Sequence, residues 1–217
     1  MSILLVCIMV ICSLFVTIPQ PNVKGVLQNN KSYYKIVNFD VFEINICVTD
    51  IESNRQNIIP RPDVGWDRMR YYFPRYSDAL IRDIETGRVF TVRRTFGGLH
   101  ADVEPLTADD TRIMYEIWGG WSWARRAVVV YIGNYAFAGS LAGMPHAGVD
   151  SAPVLAIVDN RSGGFGRGQN FDMISGNDVC GHFCLHFAGS RTHGNENINA
   201  AHQNKVRIAA AHIANTY

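Results

Sequence analysis

The stretch Gly181-His182-Phe183-Cys184-Leu185-His186-Phe187 constrains this chain more than any other part of it. Side chains of an extended strand alternate between two faces. His182, Cys184 and His186 therefore share one face, and Phe183, Leu185 and Phe187 share the other. The apolar face calls for a core beneath it, and the polar face is expected to look into a cleft or solvent. Three ligating or nucleophilic groups on one face are not ordinary core chemistry. An imidazole beside a thiol eases thiolate formation and shuttles its proton, which is the minimum for acyl transfer through a thioester. The bland alternative is a buried cysteine among hydrogen-bonded histidines. It fits Cys184 alone, and less well Cys184 flanked by His182 and His186 with His193 close by in Ser190-Arg191-Thr192-His193-Gly194.

The rest of the chain places that strand in an α+β domain with a mainly antiparallel β core and a few flanking helices. Residues 79–84 and 88–92 flank Glu85-Thr86-Gly87 and read as a hairpin, and a second turns at Gly133-Asn134. Thr107 with Asp110 three positions on starts a helix whose apolar face is Ile113, Met114, Ile117 and Trp118, ended by Gly119-Gly120. Residues 198–215 read as a last helix with Val206, Ala209, Ala210 and Ile213 inward; His202 and His212 on it receive no role. Residues 159–170 hold four glycines and read as a mobile loop. No Lys-Ser/Thr follows them, so they are not a phosphate-binding loop. With 217 residues, 47% apolar and 18% charged, the chain supports one main domain and is not disordered. A net charge of +1 gives no electrostatic footprint for nucleic acid.

The N-terminus points to export. Residues 3–16 are apolar save Ser13, and Pro19 and Pro21 follow, so residues 1–18 read as a signal peptide or membrane anchor. Residues 19–65 read as an extension and linker, with one strand in which Phe42, Ile44, Ile46 and Val48 alternate with polar neighbours. Residues 66–217 form the candidate catalytic domain. Cys7 and Cys12 fall in the apolar run, leaving Cys47, Cys180 and Cys184, an odd number that suggests a free thiol or an intermolecular pair. The expected location is extracellular or in the cell envelope, with membrane contact only through the N-terminal segment. Asn30 and Asn160 begin Asn-x-Ser sequons.

Met144-Pro145-His146-Ala147-Gly148 followed by residues 181–186 resembles the catalytic domain of L,D-transpeptidases (YkuD-type), which carry a His-Gly pair upstream of Ser-His-Gly-Cys-x-Arg. Gly181, Phe183 and His186 stand where that family has Ser, Gly and Arg. The resemblance implies Cys184 as nucleophile, with His182 and His146 as the other catalytic residues and a peptidoglycan stem peptide as substrate. Residues 66–212 are also similar to exported, cell-wall-associated proteins of Gram-positive bacteria.

A second constellation is His100-x-Asp102 with Glu104 beyond, all on one face of an extended segment. His100 and Asp102, with His186, Arg191 and His193, are expected to shape the substrate site. Alternatively His100 and Asp102, with one or two of His182, His186 and His193 (His182 and His186 foremost), supply ligands to zinc in a cell-wall peptidase or amidase. In the cysteine reading no cofactor is needed. A third reading is a non-catalytic peptidoglycan-binding module, with Trp118, Trp121 and Trp123 stacking on sugars and Arg125 and Arg126 meeting a stem-peptide carboxylate.

Overall fold

Alternating apolar side chains and tight turns build a mainly antiparallel strand framework in the described chain, residues 57–217 of a computed structural model. The apolar run of residues 1–18, Cys47, the strand expected at residues 42–48 and the Asn30 sequon lie outside the described residues. In order come β1 (Ile59–Arg61), α1 (Trp66–Tyr72), β2 (Asp78–Asp83), β3 (Val89–Phe96), β4 (Ala101–Pro105), α2 (Ala108–Trp118), β5 (Ser122–Ile132), β6 (Tyr135–Gly143), β7 (Ile157–Arg161), β8 (Gly166–Gln169), β9 (Phe183–His186) and α3 (Ala200–Thr216). The fold is α+β with a mainly antiparallel core.

Six strands run β6-β5-β2-β3-β4-β9, and β9 pairs back onto β6 to close the ring. Both expected hairpins are present, β2–β3 and β5–β6. The wall separates two apolar layers. Inside lie Ile81, Phe90, Val103, Val130, Phe137, Leu141, Phe183 and Leu185, joined by Trp66, Met69 and Phe73 of α1 and Ile113, Met114 and Ile117 of α2. Outside, Leu80, Val129, Tyr131 and Ala138 take Val206, Ala209 and Ile213 of α3. Each fully buried large side chain contributes roughly 1.5–3 kcal/mol. Because strand side chains alternate, the inward Val103, Phe183 and Leu185 force Asp102, Cys184 and His186 onto the outer face.

Two local readings differ from the structure, and one short helix had no reading. The glycine-rich segment is a paired β7–β8 ribbon rather than a loop, and the Arg161 guanidinium satisfies the carbonyls of Phe165, Gly166 and Gln169 across it. Its glycines hid the alternation that marks a strand. Residues 59–61, inside the stretch read as linker, add a parallel strand to the edge of β6. Helix α1 has only seven residues, too short for a periodic signal. The Thr107 cap does form: its hydroxyl accepts the Asp110 N–H, and Asp110 in turn accepts from Thr91 on β3. No helix among the described residues is long and apolar enough to cross a membrane.

Candidate functional site

The site is built where β4, β9 and the end of β6 meet on the outer face of the wall. Register sets Asp102 directly beside Cys184 and Ser140 beside His186. The segment after β6 then folds back, so that His146 bridges His182 through two backbone hydrogen bonds of 3.0 and 3.1 Å. Glycine makes this crossing possible. Gly181 has φ +87°, and any side chain on it would collide with the His146 carbonyl oxygen. Gly148 likewise has no room beside the Gly181 backbone. The glycine at 181 is thus required by this backbone.

That crossing aims His146 at the thiol. Cys184 Sγ lies 3.4 Å from His146 Nε2, while His146 Nδ1 donates to the Met144 carbonyl at 3.0 Å. A carbonyl only accepts, so Nδ1 carries the proton and Nε2 offers a lone pair to the S–H. Burial, with His182 nearby, pulls the His146 imidazole down to about 4. Burial and the Asp102 charge push the Cys184 thiol well above its ordinary range. The resting pair is therefore neutral thiol and neutral imidazole, and proton transfer must accompany attack. Trp123 and Phe165, both exposed, place their rings 5.1 and 4.9 Å from that of His146.

Asp102 is the second centre. His100 Nε2 and His193 Nε2 each lie 3.1 Å from its Oδ1, and His182 Nε2 lies 3.8 Å from Oδ2. Burial alone would raise this carboxyl, but the surrounding His182, His100 and His193 hold it well below the usual range. The hydrogen bond to Asp102 raises His193, whose side chain is 47% exposed. One ligand atom each from His100, Asp102, Cys184 and His193 falls within 4.8 Å of the others, so this buried cluster has the make-up of a metal site.

The remaining expected residues fall differently. His186 does not face a cleft: it is buried and sandwiched between the rings of His100 at 4.3 Å and His202 at 3.8 Å. The cluster with metal-like spacing holds His193, one of the expected zinc candidates, and Cys184, but neither His182 nor His186. Arg191 serves through its backbone, whose carbonyl accepts from His100 Nδ1 at 2.7 Å, while its side chain is exposed. Glu104 shares the outer face but belongs to a loop, accepting the Met173 and Ile174 N–H groups; burial raises it to about 7. Trp118 and Trp121 are core edges, against Gly143 and Phe183 respectively. Arg126 is committed to Asp83. Arg125 is not: its Nε is buried with no hydrogen-bond partner, and its charge is felt at Cys184.

His202 escaped sequence reasoning. Its Nδ1 sits 2.9 Å from Ser140 Oγ, and it falls in phase with Val206, Ala209 and Ile213 on the buried face of α3. That phase was the available signal. A cleft of about 520 Å³ runs alongside, lined by Trp121, Met144, Pro145, Asp178 and the exposed Cys180, residues next to His146 and to β9 rather than the thiol itself. No protein-family model, curated protein or solved structure gives a match to this chain.

Proposed function

We propose that this protein is a cysteine-dependent acyl-transfer enzyme of the cell envelope, acting on peptidoglycan stem peptides in the manner of an L,D-transpeptidase or as a peptidase. The observation that carries the reading is the Cys184–His146 pair, 3.4 Å apart with the imidazole locked in the proton-accepting tautomer by Met144. A thiol, a base and a group that orients the base form the minimal nucleophilic unit.

In the reaction, His146 Nε2 takes the Cys184 proton as sulfur bonds to the acyl carbon of the donor peptide. The carbonyl electrons move to oxygen, and Arg125, a cation without another partner at Nε, offsets that charge. His146 returns the proton to the leaving amine as the C–N bond breaks, leaving a thioester. An acceptor amine, or water, then attacks; its proton passes through His146 to sulfur as the thioester opens. The donor peptide lies in the cleft beside Met144 and Pro145, with Trp123 and Phe165 flanking His146. The apolar run of residues 1–18 supports delivery to the envelope.

The test is a mass measurement on protein mixed with a stem tetrapeptide. Wild-type chain is expected to gain the acyl fragment on Cys184 and to turn the peptide over. Cys184→Ala, with unchanged circular dichroism, should do neither; turnover by that variant sinks the reading. The rival is a zinc peptidase built on the same His/Asp/Cys cluster, and it demands that a chelator abolish turnover.

A further inference from the structure

Two histidines meet the Asp102 carboxylate with the wrong atom for a hydrogen bond. His100 Nδ1 is 2.7 Å from the Arg191 carbonyl and His182 Nδ1 is 3.2 Å from that of Phe171. Each Nδ1 is therefore a donor, and in the neutral ring each Nε2 presents a lone pair. Both Nε2 atoms are buried without a hydrogen-bond partner, yet they face carboxylate oxygens 3.1 and 3.8 Å away. Lone pairs turned on a buried carboxylate are unfavourable unless positive charge sits among them. An imidazole held through its far N–H by a backbone carbonyl is also the arrangement that fixes a metal ligand. The four atoms within 4.8 Å are two nitrogens, an oxygen and a sulfur. A tetrahedral zinc with bonds of about 2.0–2.3 Å spaces its ligands roughly 3.3–3.8 Å apart, so a small inward movement of side chains closes the shell.

We propose that His100, Asp102, His193 and Cys184 bind a soft divalent cation, zinc by preference, and that the bound metal holds Cys184 as a thiolate ligand and so keeps the acyl-transfer enzyme inactive. Thiolate with imidazole selects zinc over magnesium or calcium. Binding forms a Zn–S bond and releases the Cys184 proton to solvent, with no change of oxidation state. The half-exposed His193 is the side from which the ion enters. The inhibitory part rests on Cys184 being the nucleophile; the binding part does not.

The experiment titrates metal-stripped full-length protein with Zn²⁺ and Co²⁺. One ion per chain is expected, with a thiolate-to-cobalt charge-transfer band in the near ultraviolet. Cys184→Ser should lose the band. His193→Ala, at an exposed position that spares the fold, should weaken binding roughly 100-fold, at or beyond the loss seen when only an outer partner of a ligand is removed. Absence of stoichiometric binding, a missing band in wild type, or equal affinity in His193→Ala overturns the site. In turnover assays zinc should inhibit and a chelator restore activity; loss of turnover on chelation overturns the inhibitory role. The cysteine reading fails separately, on retained turnover by Cys184→Ala, an outcome the cobalt spectrum of wild type does not touch.

Discussion

At the scale of single residues, three histidines share one anchor and differ in what the other ring nitrogen meets. His146, His100 and His182 each spend Nδ1 on a backbone carbonyl, but only His146 turns Nε2 on the thiol. The resemblance named both His146 and His182, and sequence alone left open which is the base. Geometry separates them: His182 addresses Asp102 and meets His146 with a tilted ring, centres 4.4 Å apart. His146→Ala is therefore expected to slow acylation by roughly 10²–10⁴-fold, the usual worth of a positioned base, with partial rescue by added imidazole. His182→Ala should cost far less and show no rescue. Pre-steady-state acylation rates check both, and full activity in His146→Ala would remove it as the base.

At the scale of elements, the site depends on one crossing of backbone, residues 146–148 over residues 181–182. The crossing brings an imidazole from the end of β6 to a thiol on β9, 38 positions later. Neither strand pattern announced it, because contact between segments that distant follows from closure of the sheet. The glycines did carry a trace of it. Gly181→Ala places a methyl against the His146 carbonyl at φ +87°, and the expected cost is about 1–3 kcal/mol of stability with a larger loss of turnover. Gly98→Ala, in open space and ordinary backbone, is the matched control. Thermal unfolding of the two variants checks this; equal melting temperatures would show the crossing to be dispensable.

At the scale of the whole molecule, α3 seals the outer face of the wall and carries His202 against Ser140 and His186. Burial, with Arg125 and His100 nearby, lowers His202 from 6.5 to about 3. The unfolded chain then binds a proton more readily than the folded one. Stability from this group is complete above about pH 6.5 and is lost as pH falls toward 3, by up to ~1.4 kcal/mol per pH unit. Denaturant midpoints at pH 7 and pH 4.5 should drop more for wild type than for His202→Gln. An equal drop in the two proteins would clear His202 of this role.

The sequence by itself determined which faces are apolar. Alternation through residues 181–187 placed Phe183, Leu185 and Phe187 in the core and the His-Cys-His set opposite, and turn and cap chemistry located both hairpins and α2. These are short-range matters, decided by steric alternation and by local hydrogen bonds. Closure of β9 onto β6, the folding of residues 144–182 over the wall and the docking of α3 were decided only in three dimensions. Those steps turned the polar face from an open cleft into a buried cluster. They paired Cys184 with His146, brought His193 to Asp102, and confined His186 between two rings. The physical reason is that a pattern of faces says what must be covered, while the covering segment is chosen by packing over the whole chain.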